Sequence, residues 1–225
     1  MHLNVKCVNN GKYNVFIIKD DEYIGPNIAM GHEWDGWMRV DIEKYYKNGT
    51  DILDIGANIG YNTLMFSDYG QVYSYEPLFY KIVKMNTEIN KLKHNVIINP
   101  YALSDMDQCV PMYFPTAVKE TGMRNYGGSS IYKKESSDES SKSFVKCFKL
   151  DDVYTGVPSI MKIDVEGHEL EVLKGAEQTI LKYRPTILIE ILDFETSEIP
   201  NFIESLGYNK PQNRPEHVYL YSFNQ

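Results

Sequence analysis

The chain has 225 residues, 43% of them apolar and 24% charged, with a formal net charge of −8. This suits one domain with a buried core and excludes a disordered chain. The acidic balance also argues against nucleic acid as a partner, because phosphate contacts need a cationic face.

Residues 1–49 read as an N-terminal arm or cap, and residues 50–225 as the main domain, interrupted by a strand-loop-strand insertion at 108–150. In the arm, Tyr13–Lys19 predicts a strand and Trp34–Lys47 a helix that Asn48-Gly49 ends. From Asp51 onward strand and helix patterns alternate, which is the sign of a parallel sheet with crossover helices. Strands are expected at Asp51–Ile55, Val72–Tyr75 and Val96–Asn99. Helices are expected at Ile59–Ser67 and from Pro77, at a first helical position, to about Lys91. Within the insertion, Val110–Phe114 and Phe144–Lys149 read as paired strands, and the polar run Lys133–Ser143 as a mobile surface loop. The alternation resumes with a strand at Ser159–Asp164, one helix from Glu166 to Tyr183 and a strand at Thr186–Ile191. His217–Phe223 reads as part of a closing antiparallel hairpin.

Cys7, Cys109 and Cys147 show no C-x-x-C spacing and read as reduced thiols of an intracellular protein. No apolar leader precedes a small-residue cleavage site, and no stretch reaches the ~20 apolar residues of a membrane helix. A cytoplasmic protein without a membrane span is expected.

The chemistry concentrates at strand ends. Asp51–Gly60 carries a D-x-G-x-x-x-G turn (Asp54, Gly56, Gly60) between a strand and a helix. A second acidic residue, Glu76, closes the next strand. A carboxylate there can accept from two vicinal ribose hydroxyls, so the pair reads as a nucleoside crevice. A dinucleotide site wants G-x-G-x-x-G, which is missing. Asp54 would repel a pyrophosphate but suits a cationic amino-acid portion, which favours S-adenosylmethionine over NAD. Ala102 and Leu103 are placed to border the adenine, with Ser104 or Asp105 as hydrogen-bond partners.

Lys162–Glu169 is the richest stretch: Asp164 ends a strand, and Glu166 and His168 follow at the strand-to-helix junction. His168 is the natural general base, since imidazole titrates near neutrality. Glu190 ends the next apolar strand and, with Asp164, makes half of an oxygen-ligand set for Mg²⁺ or Mn²⁺. Pairing of Glu190 with a Lys or Arg is the first expectation, and this cation set the alternative.

These stretches, together with Leu150-Asp-Asp152, Val172–Ala176 and Arg184-Pro185, resemble the FkbM-type methyltransferases over about residues 50–192. The resemblance implies a Rossmann-like class I methyltransferase fold, with a mostly parallel seven-stranded sheet and helices on both faces. It implies S-adenosylmethionine as methyl donor and an oxygen as acceptor. It puts Asp54, Gly56, Asn58, Gly60 and Glu76 at the cofactor, beside Pro77, Ala102, Ser104 and Asp164. Asp164, Glu166 and His168 fall at the reaction edge, with Asp164 or Glu166 orienting His168.

A sugar or glycan hydroxyl is the expected acceptor, with Trp34, Trp37, Tyr126 and Tyr132 available to stack on a sugar face. The alternatives are methylation of another acceptor (a polyketide-type hydroxyl, an amine or RNA), a non-catalytic methyltransferase-like module, and a nucleotide-binding oxidoreductase.

Overall fold

The computed structural model describes residues 3–135 and 137–223, the side chains of 138–141 excepted. The arm begins with an antiparallel ribbon of β1 (Val5–Asn9) and β2 (Asn14–Ile18), followed by α1 (Ile24–Ala29) and α2 (Met38–Tyr45). The alternating region is β3 (Asp51–Ile55), α3 (Tyr61–Phe66), β4 (Gln71–Tyr75), α4 (Tyr80–Ile89) and β5 (Val96–Asn99). Then come β6 (Ala102–Leu103), β7 (Gln108–Pro115) and β8 (Ser137–Phe148), which form a three-stranded sheet in the order β6-β8-β7. The chain closes with α5 (Leu150–Val153), β9 (Pro158–Ile163), α6 (Glu169–Gly175), α7 (Glu177–Tyr183), β10 (Thr186–Glu190), α8 (Ile199–Ser205), β11 (Gln212–Asn213) and β12 (Val218–Tyr221).

The main sheet has seven strands in the order β11-β12-β10-β9-β3-β4-β5. Its five central and right-hand strands run parallel, and β12 and β11 add antiparallel pairings at the other edge. Every residue of β3 and β9 is buried, as a strand covered on both faces requires. Val172, Leu173, Ile180 and Ile203 pack on one face against Leu53, Met161 and Ile187. Met38, Ile42, Met65 and Phe66 cover the other against Ile52, Ile160 and Leu188. Among the described residues no helix is long and apolar enough to cross a membrane.

Buried Asn86 of α4 joins the arm to this body. Its side chain accepts from Phe16 N (2.6 Å) and donates to Ile59 O (2.7 Å), so one amide ties β2 to the glycine turn.

Four local expectations change. The helix expected from Trp34 starts at Met38, because Asp35 holds φ 51, which a right-handed helix cannot contain. The helix expected from Pro77 starts at Tyr80, because the Glu76 carboxylate accepts from Leu78 N (2.7 Å) and Phe79 N (2.9 Å) and holds a turn ahead of it. From Ser137 the polar run expected to be a loop is strand, since its backbone pairs with β7 and pairing on an outlying sheet needs no apolar side chains; residue 136 of that run lies outside the described residues. The long helix expected from Glu166 begins at Glu169 and divides at Ala176. Glu166 (φ 58) and Gly167 (φ 103) are left-handed. Gly175 lies so close to Ser104 that an added Cβ would stand 1.9 Å from its carbonyl oxygen.

Candidate active site

β3 and β9 are neighbours, yet the chain leaves β3 toward β4 and leaves β9 toward β10. Connections that diverge in this way open a crevice beyond the carboxyl ends of the strands. A cavity of about 310 Å³ occupies it. Gly56 (φ +80) makes the crevice narrow: a Cβ there would lie 1.8 Å from the Asp164 carbonyl oxygen. Its freedom therefore serves the approach of two strand ends rather than of a ligand.

On the β4 side, Glu76 is 5% exposed and accepts three backbone N–H groups: Asn58 (2.9 Å), Leu78 and Phe79. Burial pushes it up to about 7, against those three donors, which favour the anion. A carboxylate has about four acceptor sites, so one remains for a ligand hydroxyl. Gly56, Asn58, Glu76, Pro77, Ala102 and Leu103 share this wall.

Three expected cofactor contacts do not reach the wall. Gly60 packs on Val83. Ser104 is fully buried and bonds His168 Nε2 at 3.0 Å. Asp54 is fully buried beneath the turn, where its carboxylate takes the Thr63 hydroxyl and faces Lys162 Nζ at 3.9 Å. It is sealed off because Lys162, 4% exposed, stands in front of it, donating to Gly56 O (3.0 Å) and pairing with Asp164 (3.2 Å). Burial opposes the charge on Lys162, but the carboxylates of Asp164, Asp54 and Asp35 outweigh it and raise its pKa.

On the β9–β10 side, Asp164, Glu166 and Glu190 bring carboxylate oxygens within 4.8 Å of one another. Glu190 Oε2 has no hydrogen-bond partner. Burial, then the charges of Asp164 and Glu166, push Glu190 up to about 9. The expected Lys or Arg partner is thus replaced by a crowd of like charges. Glu166 is also raised by burial, which Lys134 at 2.9 Å partly offsets.

His168 lines the cavity but is only 4% exposed. Its ring is held between Ser104 on Nε2 and Tyr132 OH on Nδ1 (3.2 Å), with Glu171 3.5 Å from Nδ1. Neither Asp164 nor Glu166 orients it, because their carboxylates are turned to Lys162 and Lys134. Burial lowers its pKa, so the ring is neutral at pH 7. Of the four aromatics expected to stack on a sugar, Trp34 alone lines the cavity. Trp37 packs half-buried against the core, Tyr126 is buried with its hydroxyl on Asp20 (2.8 Å), and Tyr132 stands outside the cavity with an exposed ring and its hydroxyl on His168.

Sequence reading passed over Lys162, Asp35, Asn62 and Glu216, all of which line the cavity. Lys162 had a signal, a cation inside an apolar strand. Asp35 (φ 51), Asn58 (φ 53), Glu166 (φ 58) and Glu216 (φ 58) are four of the six non-glycine residues with positive φ among the described residues, and all four border this cavity. Such backbone strain clusters at functional sites, and residue type alone does not announce it.

The family model described as methyltransferase FkbM domain matches residues 54–210. A hexuronic acid methyltransferase, AglP, from Haloferax volcanii is 32% identical over 127 residues, covering 56% of this chain and 49% of the relative. The methyltransferase sdnD of Sordaria araneosa is 28% identical, covering 73% of this chain and 76% of its own. The crystal structure of a methyltransferase FkbM from Methylobacillus flagellatus KT superposes with a TM-score of 0.51 at 18% identity, over 77% of this chain and 43% of that one, a likeness of fold. The chain spans about half the length of the haloarchaeal relative.

Proposed function

The chain belongs to the methyltransferase FkbM domain family, and from that premise we propose that it transfers a methyl group from S-adenosylmethionine to a hydroxyl oxygen of an uncharged sugar or glycan. The observation that carries this reading is the switch-point cavity, with a buried Glu76 on one wall and the Asp164–Glu166–Glu190 cluster on the other. S-adenosylmethionine, when bound, supplies a methyl group already activated on a sulfonium. The residues present fit it: Glu76 retains an acceptor site for a ribose hydroxyl, Ala102 and Leu103 offer an apolar edge for adenine, and the carboxylate-rich far wall suits a cation.

The protein then has to align the acceptor and receive one proton. Alignment accounts for most of the rate in such a displacement. We assign the proton to Asp164, whose side chain is 36% exposed on the cavity wall, whereas both ring nitrogens of His168 are engaged. His168 acts as a positioning residue that holds Ser104 and Tyr132, while Glu169 and Ser130 hold the Glu166–Gly167 turn beside it. A proton shared with Glu190 offsets the repulsion in the cluster. Domain roles follow the same division: residues 50–225 carry the donor site, and the arm closes it.

The description of AglP as a hexuronic acid methyltransferase supports a sugar acceptor. Lys162 is already held by Gly56 and Asp164, which leaves no partner on this wall for a uronate carboxylate and favours an uncharged sugar. Calorimetric titration with S-adenosylmethionine, S-adenosylhomocysteine and NAD tests the donor. Saturable binding of the first two alone is expected, followed by methyl transfer to neutral sugars. Binding of NAD alone refutes the reading.

A further inference from the structure

With S-adenosylmethionine as donor, the premise on which this inference rests, adenosine takes the Glu76–Ala102 edge. The amino-acid portion would then extend past Gly56 toward the far end of the crevice. That portion carries a carboxylate and an ammonium. Lys162 is already held there by Gly56 and Asp164, and Asp54, expected to meet the ammonium, is sealed behind it.

Three segments distant in sequence close the far end. Asp35 comes from the arm, Asn62 from the first turn of α3, and Glu216 from the turn between β11 and β12; all three line the cavity. Arg214 fixes that turn to the arm by a two-pronged bond to Asp41 of α2 (Nε–Oδ2 2.6 Å, Nη2–Oδ1 2.7 Å). Asn62 is 6% exposed, and its Nδ2 donates to Asp35 Oδ2 at 2.8 Å. Only the NH₂ end of an amide can face a carboxylate, so this bond sets the orientation of the group. Asn62 Oδ1 is left without a hydrogen-bond partner. A buried amide oxygen in that state costs free energy, which a ligand bearing N–H groups removes.

We propose that Asp35, Asn62 and Glu216 hold the α-ammonium of the cofactor's amino-acid portion. An ammonium has three donors and no acceptor, and these residues offer one unpaired amide oxygen and two carboxyls. The arm is then part of the cofactor site, outside the span 54–210 that defines the family.

The test is calorimetry on the full chain with two probes. S-adenosylhomocysteine carries the amino-acid portion; 5′-methylthioadenosine keeps adenosine and sulfur but lacks it. Asp35→Asn should weaken S-adenosylhomocysteine tenfold or more, at about 1.4 kcal/mol per factor of ten, and leave methylthioadenosine within twofold. Glu216→Gln, at the solvent edge and safe for folding, should weaken the first probe severalfold and spare the second. Unchanged S-adenosylhomocysteine affinity in both variants overturns the assignment, as does equal weakening of both probes. A wild-type chain that binds neither probe overturns the donor reading itself.

Discussion

Lys162→Met would remove the cation at the centre of the crevice while keeping the length of the side chain. Lys162 is 4% exposed, contacts Gly56 O at 3.0 Å and Asp164 at 3.2 Å, and is the countercharge of fully buried Asp54 at 3.9 Å. Removing one member of a buried ion pair costs about 3–5 kcal/mol, because the other charge stays desolvated. In a chain of 225 residues that lowers Tm by roughly 6–20 °C. Asp54 limits the loss by taking up a proton, since burial already raises its pKa even with Lys162 and Thr63 in place. Its folded pKa then lies further above the unfolded value of 3.8. The folded state binds the extra proton, so stability falls as pH rises through that window. Thermal and urea unfolding at pH 5 and pH 8 should show the larger deficit at pH 8. Adding Asp54→Asn should recover part of it, as expected of directly coupled sites. A deficit under about 1 kcal/mol at pH 8, or no recovery in the double variant, would refute the reasoning.

Asp164→Asn should lower turnover about 100-fold or more, the usual scale for a lost general base, with S-adenosylhomocysteine affinity changed far less; full activity removes Asp164 as proton acceptor. His168→Ala should cost stability through its lost bonds to Ser104 and Tyr132, and turnover less than tenfold at a temperature where the variant is folded. A 1000-fold loss there would return the base to His168. Glu190, at about 9 against 4.5 for the ordinary group, is protonated in the fold and ionised when unfolded between those values, so it destabilises the fold as pH rises through them. Glu190→Gln should therefore raise Tm at pH 8 and leave it unchanged near pH 4; a variant less stable than wild type at pH 8 contradicts this. Since a proton can neutralise the cluster, turnover should survive EDTA. Abolition by EDTA with rescue by Mg²⁺ or Mn²⁺ would instead assign Asp164, Glu166 and Glu190 to a cation.

The sheet was legible in the sequence because its strands are local events. Asp51–Ile55 and Val96–Asn99 have the bounds their apolar runs predict, and β4, β9, β10 and β12 differ by a residue or two, whereas the two-residue β11 has no apolar run to announce it. Strand ends, in turn, put Glu76, Asp164 and Glu190 at one edge of a parallel sheet on sequence pattern alone. Residue type did not reveal which acidic groups face the cavity. Asp54 and Asp164 both end strands, yet one lies sealed behind Lys162 and the other stands on the wall. That outcome depends on how two strands approach at Gly56. Nor did local pattern announce the left-handed turns at Asp35 and Glu216, since positive φ in a non-glycine residue is paid by surrounding packing rather than encoded by its own side chain. Short-range periodicity and strand-end chemistry thus determined the family of sites available. Long-range contacts (Asn86 holding β2 to the glycine turn, Arg214 holding the hairpin to α2) decided which side chains share the cavity, because only a closed tertiary structure brings residues 35, 62 and 216 to one place.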